Sequence, residues 1–324
     1  MSHEIQIGQT LDGRFKILTV LTRSGMATIF EALDTDSGGS VAVKVPLFQF
    51  ECDAGFFARF QREEEIGLKL HHPAIMRFVP VAAKSRPYIV TEYLRGQTLG
   101  QRLRNVRPLP IDEALAIGGK ICAALEYLHG EGVIHRDLKP DNIMLCADGS
   151  LRLLDFGIAK SDDLRRITFA GFSSLMGTPD YMAPEQVKGR RGDARTDIYC
   201  LGAILYEMLT GLMPFQGDNP FALMNARLVG DAPSPRTARP EIPPEVEEIV
   251  LRALEREPAA RYRSAAELSA DLKNPQNVKV VGRALRLQAP AAWKVFLSTY
   301  KVPLASMLIP IIAFLLFFLL VRRH

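Results

Sequence analysis

The octapeptide His135-Arg136-Asp137-Leu138-Lys139-Pro140-Asp141-Asn142 is followed, after two short apolar runs, by Asp155-Phe156-Gly157, a spacing that restricts the fold more than any other feature of the chain. The runs at 143–145 and 151–154 flank Ala-Asp-Gly-Ser and predict a tight hairpin with its turn at Asp148-Gly149. A hairpin returns its two ends to one place. Asn142 at its entrance and Asp155 after its exit are therefore expected to lie close together.

Upstream, alternation at 15–21 and 29–33, a turn-rich Asp-Thr-Asp-Ser-Gly-Gly at 34–39, and Val41-Ala42-Val43-Lys44-Val45 predict an antiparallel meander. A helix is predicted over 55–70, with Phe56, Phe60, Gly67 and Leu70 on one face, stopping before His72-Pro73. Strands at 76–82 and 88–93 would complete a small sheet. Beyond Gly96 the periods turn helical. The stretch 111–129 puts Leu115, Ile121, Leu125 and Leu128 near one face, and 197–210 is apolar nearly all round until Gly211 ends it. The expected fold is α+β and bilobal: a small β-rich lobe over 11–95 and a larger, mainly helical lobe over 96–273.

Of the 324 residues 48% are hydrophobic and 23% charged, enough apolar surface to bury a core. The net charge of +4 is unevenly spread, because everything after residue 273 holds seven bases and no acid, leaving 33 bases against 36 acids before it. Such a body lacks the clustered positive face that phosphate backbones require, so nucleic acid is not an expected partner. Cys52, Cys122, Cys146 and Cys200 form no C-x-x-C pair and follow no secretory signal, which suits reduced cytosolic thiols.

Residues 302–321 contain no charge and, at ~1.5 Å per residue, span ~30 Å, the thickness of a bilayer's hydrocarbon core. One C-terminal transmembrane helix is expected there, with Pro310 kinking it. The preceding stretch 274–301 reads as a basic juxtamembrane linker: Lys279, Arg283, Arg286, Lys294 and Lys301, with Trp293 and Tyr300, suit anionic lipid heads. Five bases before the span and two after it place the folded body in the cytoplasm, as a single-pass protein of the cell membrane, with the tail 322–324 emerging opposite and no outer sensor domain.

Six segments in fixed order are Val-Ala-Val-Lys44, Arg-Phe-Gln-Arg-Glu63, the octapeptide 135–142, Asp155-Phe156-Gly157, the stretch Gly177-Thr178-Pro179-Asp180-Tyr181-Met182-Ala183-Pro184-Glu185, and Asp197-Ile198-Tyr199. With them the chain resembles a eukaryotic-like (Hanks-type) protein kinase catalytic domain, over about residues 11–272, and the wording is most similar to the bacterial serine/threonine kinases. The resemblance implies transfer of the γ-phosphate of ATP to Ser or Thr hydroxyls of proteins, with autophosphorylation, the activity of a non-specific serine/threonine protein kinase. It makes Asp137 the group that accepts or orients the hydroxyl proton and Lys139 the one that steadies the γ-phosphate. Asn142 and Asp155 would hold Mg²⁺, with Mn²⁺ as a substitute. Lys44 would meet the α- and β-phosphates and pair with a helix carboxylate. Among Glu63, Glu64 and Glu65, Glu63 shares the face of Phe56, Phe60 and Gly67, and the other two fall on a solvated face. Leu21, Gly25, Ile29, Thr91 and Glu92 would complete the ATP site.

The same resemblance sets Thr178 near the base, lets Asp197 hold backbone N–H groups of the catalytic loop, and pairs Glu185 with Arg261 in a buried ion pair. It also makes Arg136 the receiver of a phosphate on Thr168, Ser173 or Ser174 of the activation segment. Protein substrates and a second copy of the chain in a homodimer are the expected protein partners. The phosphate-covering loop departs from the family pattern, since Leu21-Thr22-Arg23-Ser24-Gly25-Met26-Ala27 has Thr22 and Ser24 where glycines are expected. Slower nucleotide handling follows from stiffer backbone there. The alternative from another class is a membrane-tethered pseudokinase or adaptor that binds nucleotide or partner proteins without efficient transfer.

Overall fold

The computed structural model describes residues 5–51, 53–155 and 180–287. Strands β1 (Thr10–Leu11), β2 (Phe15–Arg23), β3 (Ala27–Asp34), β4 (Ser40–Pro46) and β5 (Ile89–Glu92) form an antiparallel sheet in that order. Side chains on a strand alternate between faces. Val41, Val43 and Val45 of β4 therefore join one apolar cluster with Phe15, Ile17, Phe30, Tyr88 and Val90, and Lys44 is turned the other way.

A short helix α1 (Phe48–Glu51) leads into α2 (Ala54–Gly67), which is capped by the Asp53 carboxylate accepting from Phe56 N at 2.7 Å. The expected face is buried, with Glu63 on it beside Phe56, Phe60 and Gly67. A Cβ on Gly67 would stand 2.5 Å from the ring of Phe78, so the missing side chain sets how closely α2 lies on the segment that carries Phe78. The helix ends three residues earlier than expected, and Leu70 is buried from the turn that follows. Residues 76–82 do not form the expected strand. Their backbone bonds to β5 are Val79 N to Val90 O (2.8 Å) and Glu92 N to Arg77 O (2.9 Å), and Pro80 has no N–H with which to extend that pairing.

In the second lobe β6 (Gly96–Thr98), β7 (Ile143–Cys146) and β8 (Leu151–Leu153) make a small antiparallel sheet, β7 and β8 being the expected hairpin. Helices α3 (Leu99–Asn105), α4 (Ile111–Gly130), α5 (Pro184–Val187), α6 (Ala194–Thr210), α7 (Pro220–Val229), α8 (Pro235–Ala238), α9 (Pro244–Ala253) and α10 (Ala265–Lys273) form the rest. Every residue of α6 from Thr196 to Thr210 is buried, as its apolar circumference requires, while α4, α9 and α10 pack around it. On α4 the buried stripe runs through Ala114, Ile117, Ile121, Leu125 and Leu128, and Leu115 is half-buried at its edge. One apolar cluster continues from Phe56, Phe60 and Phe78 through Ile143 and Leu153 to α6, so the lobes share a core on the α2 side. Backbone bonds Leu153 N to Ala74 O (2.8 Å) and Met76 N to Leu153 O (3.1 Å) stitch them together.

Residues 274–287, expected as the start of a basic linker, instead run back along α9 in two 3₁₀ turns, Pro275–Asn277 and Arg283–Arg286. Val278, Ala284 and Leu287 pack against the main core, and Arg283 pairs with Glu248 and, at 3.1 Å, with Glu255. The remaining linker and the expected span at 302–321 lie outside the described residues. Among the described residues no helix is long and apolar enough to cross a membrane.

Candidate active site

The strand alternation that buries Val43 and Val45 aims Lys44 at the space between the lobes. Its Nζ lies 2.6 Å from Oε1 of Glu63 on α2 and 3.0 Å from Oδ1 of Asp155, just beyond β8. Burial opposes the charged ammonium, but the Asp155 and Glu63 carboxylates outweigh it and hold Lys44 above the ordinary lysine value. Glu63 is only 4% exposed, and burial lifts its carboxyl above the usual range against the pull of Lys44. Asp155 is also disfavoured by burial, yet Lys44, then Lys139 and His135, bring its carboxyl below the usual range. Of the neighbours of Glu63, Glu65 is exposed as expected. Glu64 is not fully solvated: it pairs with Lys84, whose ammonium also donates to Tyr88 O at 2.7 Å.

The loop between α4 and β7 is held from below by α6. Asp197, with no exposed surface, accepts from His135 N (2.9 Å) and Arg136 N (2.8 Å), and His129 Nε2 bonds the same carboxylate at 2.8 Å. These bonds fix a backbone that carries Arg136 at φ 61°, and Asp155 across the site sits at φ 33°. Positive φ in non-glycine residues costs energy and persists only where the surroundings impose it. Gln186 Nε2 donates to Arg136 O at 2.9 Å and adds a further restraint. His135 accepts from Asp137 N at Nδ1 (3.3 Å), so its Nε2 carries the proton and donates to Leu154 O at 3.1 Å.

Leu154 N donates to Asn142 O at 2.9 Å, closing the mouth of the hairpin and setting Asn142 beside the residue that precedes Asp155. The Asn142 amide donates through Nδ2 to Asp137 O (2.9 Å) and Asp137 Oδ2 (3.1 Å), and Lys139 Nζ stands 3.4 Å from the same Oδ2. With its NH₂ occupied in this way, Asn142 presents Oδ1 as an acceptor, and Asp155 has a second carboxylate oxygen beyond the one bonded to Lys44. An amide oxygen and a carboxylate are the hard donors that Mg²⁺ and similar cations take, so these two residues fit a divalent metal. Asp137, Lys139, Asn142, Asp155, Lys44 and Glu63 are thus brought together from four separate stretches of chain.

Other expected residues take structural positions. Arg261 clasps Glu185 with two bonds of 2.8 Å, and Thr196 Oγ1 donates to the same carboxylate at 2.8 Å. Burial would raise the Glu185 carboxyl, but Arg261 more than offsets this and holds it below the ordinary value. Ile29 lies opposite Lys44 across β3 and β4, Thr91 is buried opposite Ala42, and Leu21 and Gly25 are exposed at the cleft end of β2 and the turn beyond. The Glu92 carboxylate accepts from Arg77 N at 2.8 Å and stands 3.8 Å from Arg152, contacts that hold the segment crossing between lobes. Thr22 stays in the ladder opposite Ile29. Ser24 Oγ accepts from Met26 N (3.3 Å) and Ala27 N (3.0 Å) and donates to Ala27 O at 2.9 Å, so the replacement for glycine caps its own turn. Thr168, Ser173, Ser174 and Thr178 lie outside the described residues.

Sequence reasoning missed His129, Gln186 and the Tyr181 hydroxyl's 2.6 Å bond to Glu207. No local pattern marks them, because each partner is distant in sequence.

The protein kinase domain family matches residues 15–271, and the chain belongs to that family. Relatives that it matches include bacterial serine/threonine-protein kinases. The chain is 39% identical over 287 residues to a probable serine/threonine-protein kinase of Streptomyces coelicolor, covering 87% of this chain and 43% of that one. It is 35% identical over 268 residues to serine/threonine-protein kinase PrkC of Bacillus subtilis, covering 82% of this chain and 41% of the relative. The chain thus spans about two fifths of the length of these relatives. Among solved structures, the kinase domain of Mycobacterium tuberculosis PknI superposes with a TM-score of 0.68 at 27% identity, over 85% of this chain and all of that one. Kinases of this family use ATP with a divalent metal.

Proposed function

We propose that this chain is a serine/threonine protein kinase that transfers the γ-phosphate of ATP to Ser or Thr hydroxyls of proteins, its own activation segment included. The observation that carries the proposal is the convergence of Asp137, Asn142 and Asp155 in a cleft that also holds the Lys44–Glu63 pair. Lys44, held charged by its two carboxylates, meets the α- and β-phosphates. Asp137, positioned by the Asn142 amide and the His135 ring, orients the substrate hydroxyl and takes its proton as the oxygen bonds to the γ-phosphorus and ADP departs. Lys139 beside Asp137 balances the charge of the moving phosphoryl group. Mg²⁺ bound by Asn142 and Asp155 would neutralise phosphate oxygens. Leu21, Gly25, Ile29 and Thr91 border the nucleotide, and Arg136 would receive a phosphate on Thr168, Ser173 or Ser174. Mass spectrometry after incubation with ATP tests those three positions.

The membrane location is part of the same proposal. Its support is the twenty-residue uncharged stretch 302–321 with its basic approach, which favours a single-pass anchor, the kinase body in the cytoplasm and contact with anionic lipid heads. A homodimer is a further expectation, tested by sedimentation of the detergent-solubilised chain. Labelled-phosphate transfer from Mg-ATP to a Ser/Thr substrate decides the activity: incorporation well above an Asp137→Asn control is expected, and equality of the two overturns the enzyme in favour of the tethered pseudokinase. The named serine/threonine kinases among its relatives weigh against that second reading.

A further inference from the structure

Residues 275–287 lie beyond the stretch matched by the kinase family yet belong to the folded body. Glu248 on α9 is 3% exposed, and its carboxylate is engaged by both the guanidinium and, at 3.3 Å, the backbone N–H of Arg283. Gly282, at φ 75°, turns the chain so that Arg283 faces inward. The same turn leaves Leu285 92% exposed, with Val280 at 45% and Val281 at 39%. A Cβ on Gly282 would come 3.4 Å from Leu285 Cδ1, and the Arg286 guanidinium donates back to Val281 O at 3.1 Å, so the turn holds these apolar residues and a cation within one short stretch.

We propose that this knuckle, Val280, Val281 and Leu285 flanked by Lys279 and Arg286, is a docking surface for a bilayer with anionic headgroups, and that it holds the kinase body against the membrane in a fixed orientation. The inference rests on the membrane anchor proposed above. Fourteen residues separate Leu287 from the uncharged stretch, a reach of at most about 50 Å, so the knuckle is never far from the lipid surface. Those residues contain no acid, and Arg283, which points inward, is already paired with Glu248 and Glu255. An exposed leucine and two valines beside outward cations suit the interfacial layer of an anionic membrane, where apolar groups enter the acyl boundary and cations meet the heads. Because Arg283 locks the knuckle to α9, lipid contact would be transmitted to the whole second lobe.

The test uses the full chain in vesicles. The protein's one tryptophan is Trp293, so a Leu285→Trp variant in a Trp293→Phe background carries a single reporter indole at the knuckle. In vesicles of equal phosphatidylcholine and phosphatidylglycerol with brominated acyl chains, its fluorescence should be quenched several-fold, and far less in phosphatidylcholine alone. Adding Lys279→Glu and Arg286→Glu should abolish quenching while the chain remains integrated. An unquenched indole in a chain that resists carbonate extraction overturns the docking and leaves the anchor intact. Release of the chain by carbonate sinks the anchor and the docking with it. Equal quenching in phosphatidylcholine alone, unaffected by Lys279→Glu and Arg286→Glu, also overturns the proposal, since anionic headgroups then play no part.

Discussion

Lys44 is a charge on an otherwise apolar strand, and its position is tolerable because Glu63 and Asp155 stand 2.6 and 3.0 Å away on two other elements. Ser24 works in the opposite sense, occupying with its hydroxyl the Met26 and Ala27 amides at the tip of the turn between β2 and β3, proposed to cover the phosphates. Ser24→Gly should release those donors and lower the KM for Mg-ATP about fivefold, roughly the worth of one hydrogen bond, with kcat little changed. Steady-state kinetics over a range of ATP concentrations test this, and an unaltered KM would show that the hydroxyl does not compete with phosphate. Arg261→Ala should cost about 3–5 kcal/mol in chemical denaturation, because it leaves the buried Glu185 without its partner. The Glu185 carboxyl titrates below its ordinary 4.5, so its contribution to stability is full above that pH and disappears as the pH falls through the lower folded value. Acid unfolding of Arg261→Ala should lose that part of the slope.

At the scale of elements, patterning forecast the first lobe's sheet and α2, and in the second lobe the hairpin, α4 and α6. The hairpin β7–β8 closed as its Asp148-Gly149 turn required, α6 is buried on all sides, and α2 presents Glu63 on the face that its 3.6-residue period assigned. Two elements were misjudged. Alternation at 76–82 suggested a strand, but Pro80 interrupts the donors, and the segment serves as a crossing between lobes. Charge at 274–287 suggested a basic juxtamembrane linker suited to lipid heads, because a run of bases without acids looks unpaired until Glu248 on α9 and Glu255 just past its end arrive from some thirty residues upstream. A chain ending at residue 273 should therefore be less stable than one ending at 287 by about 1–3 kcal/mol, because it loses the apolar packing of Val278, Ala284 and Leu287 together with the Arg283–Glu248 pair. Thermal melts of the two should differ by several degrees. Equal melting would mean that the docked stretch adds nothing to the second lobe.

Across the whole molecule, the site is divided: Lys44 and Glu63 come from the first lobe, and Asp137, Asn142 and Asp155 from the second or its edge. A ligand touching both sets should stabilise the whole chain. Mg-ATP at one hundred times its Kd should add about 2.7 kcal/mol, seen as a raised Tm. Asp155→Asn, which removes a carboxylate from both Lys44 and the metal position, should lose most of that shift. By itself the sequence determined the division into a β-rich and a helical lobe, the β7–β8 hairpin and which charged side chains the contiguous motifs bring forward, since these depend on periodicity and turn chemistry that neighbouring residues impose locally. Tertiary structure alone decided that His129 joins Asp197 beneath the loop between α4 and β7, that Ser24 caps its own turn, and that Arg283 turns inward. Those outcomes depend on which buried donor or acceptor arrives from a distant part of the chain, and a buried polar group must be satisfied by whatever the fold brings to it.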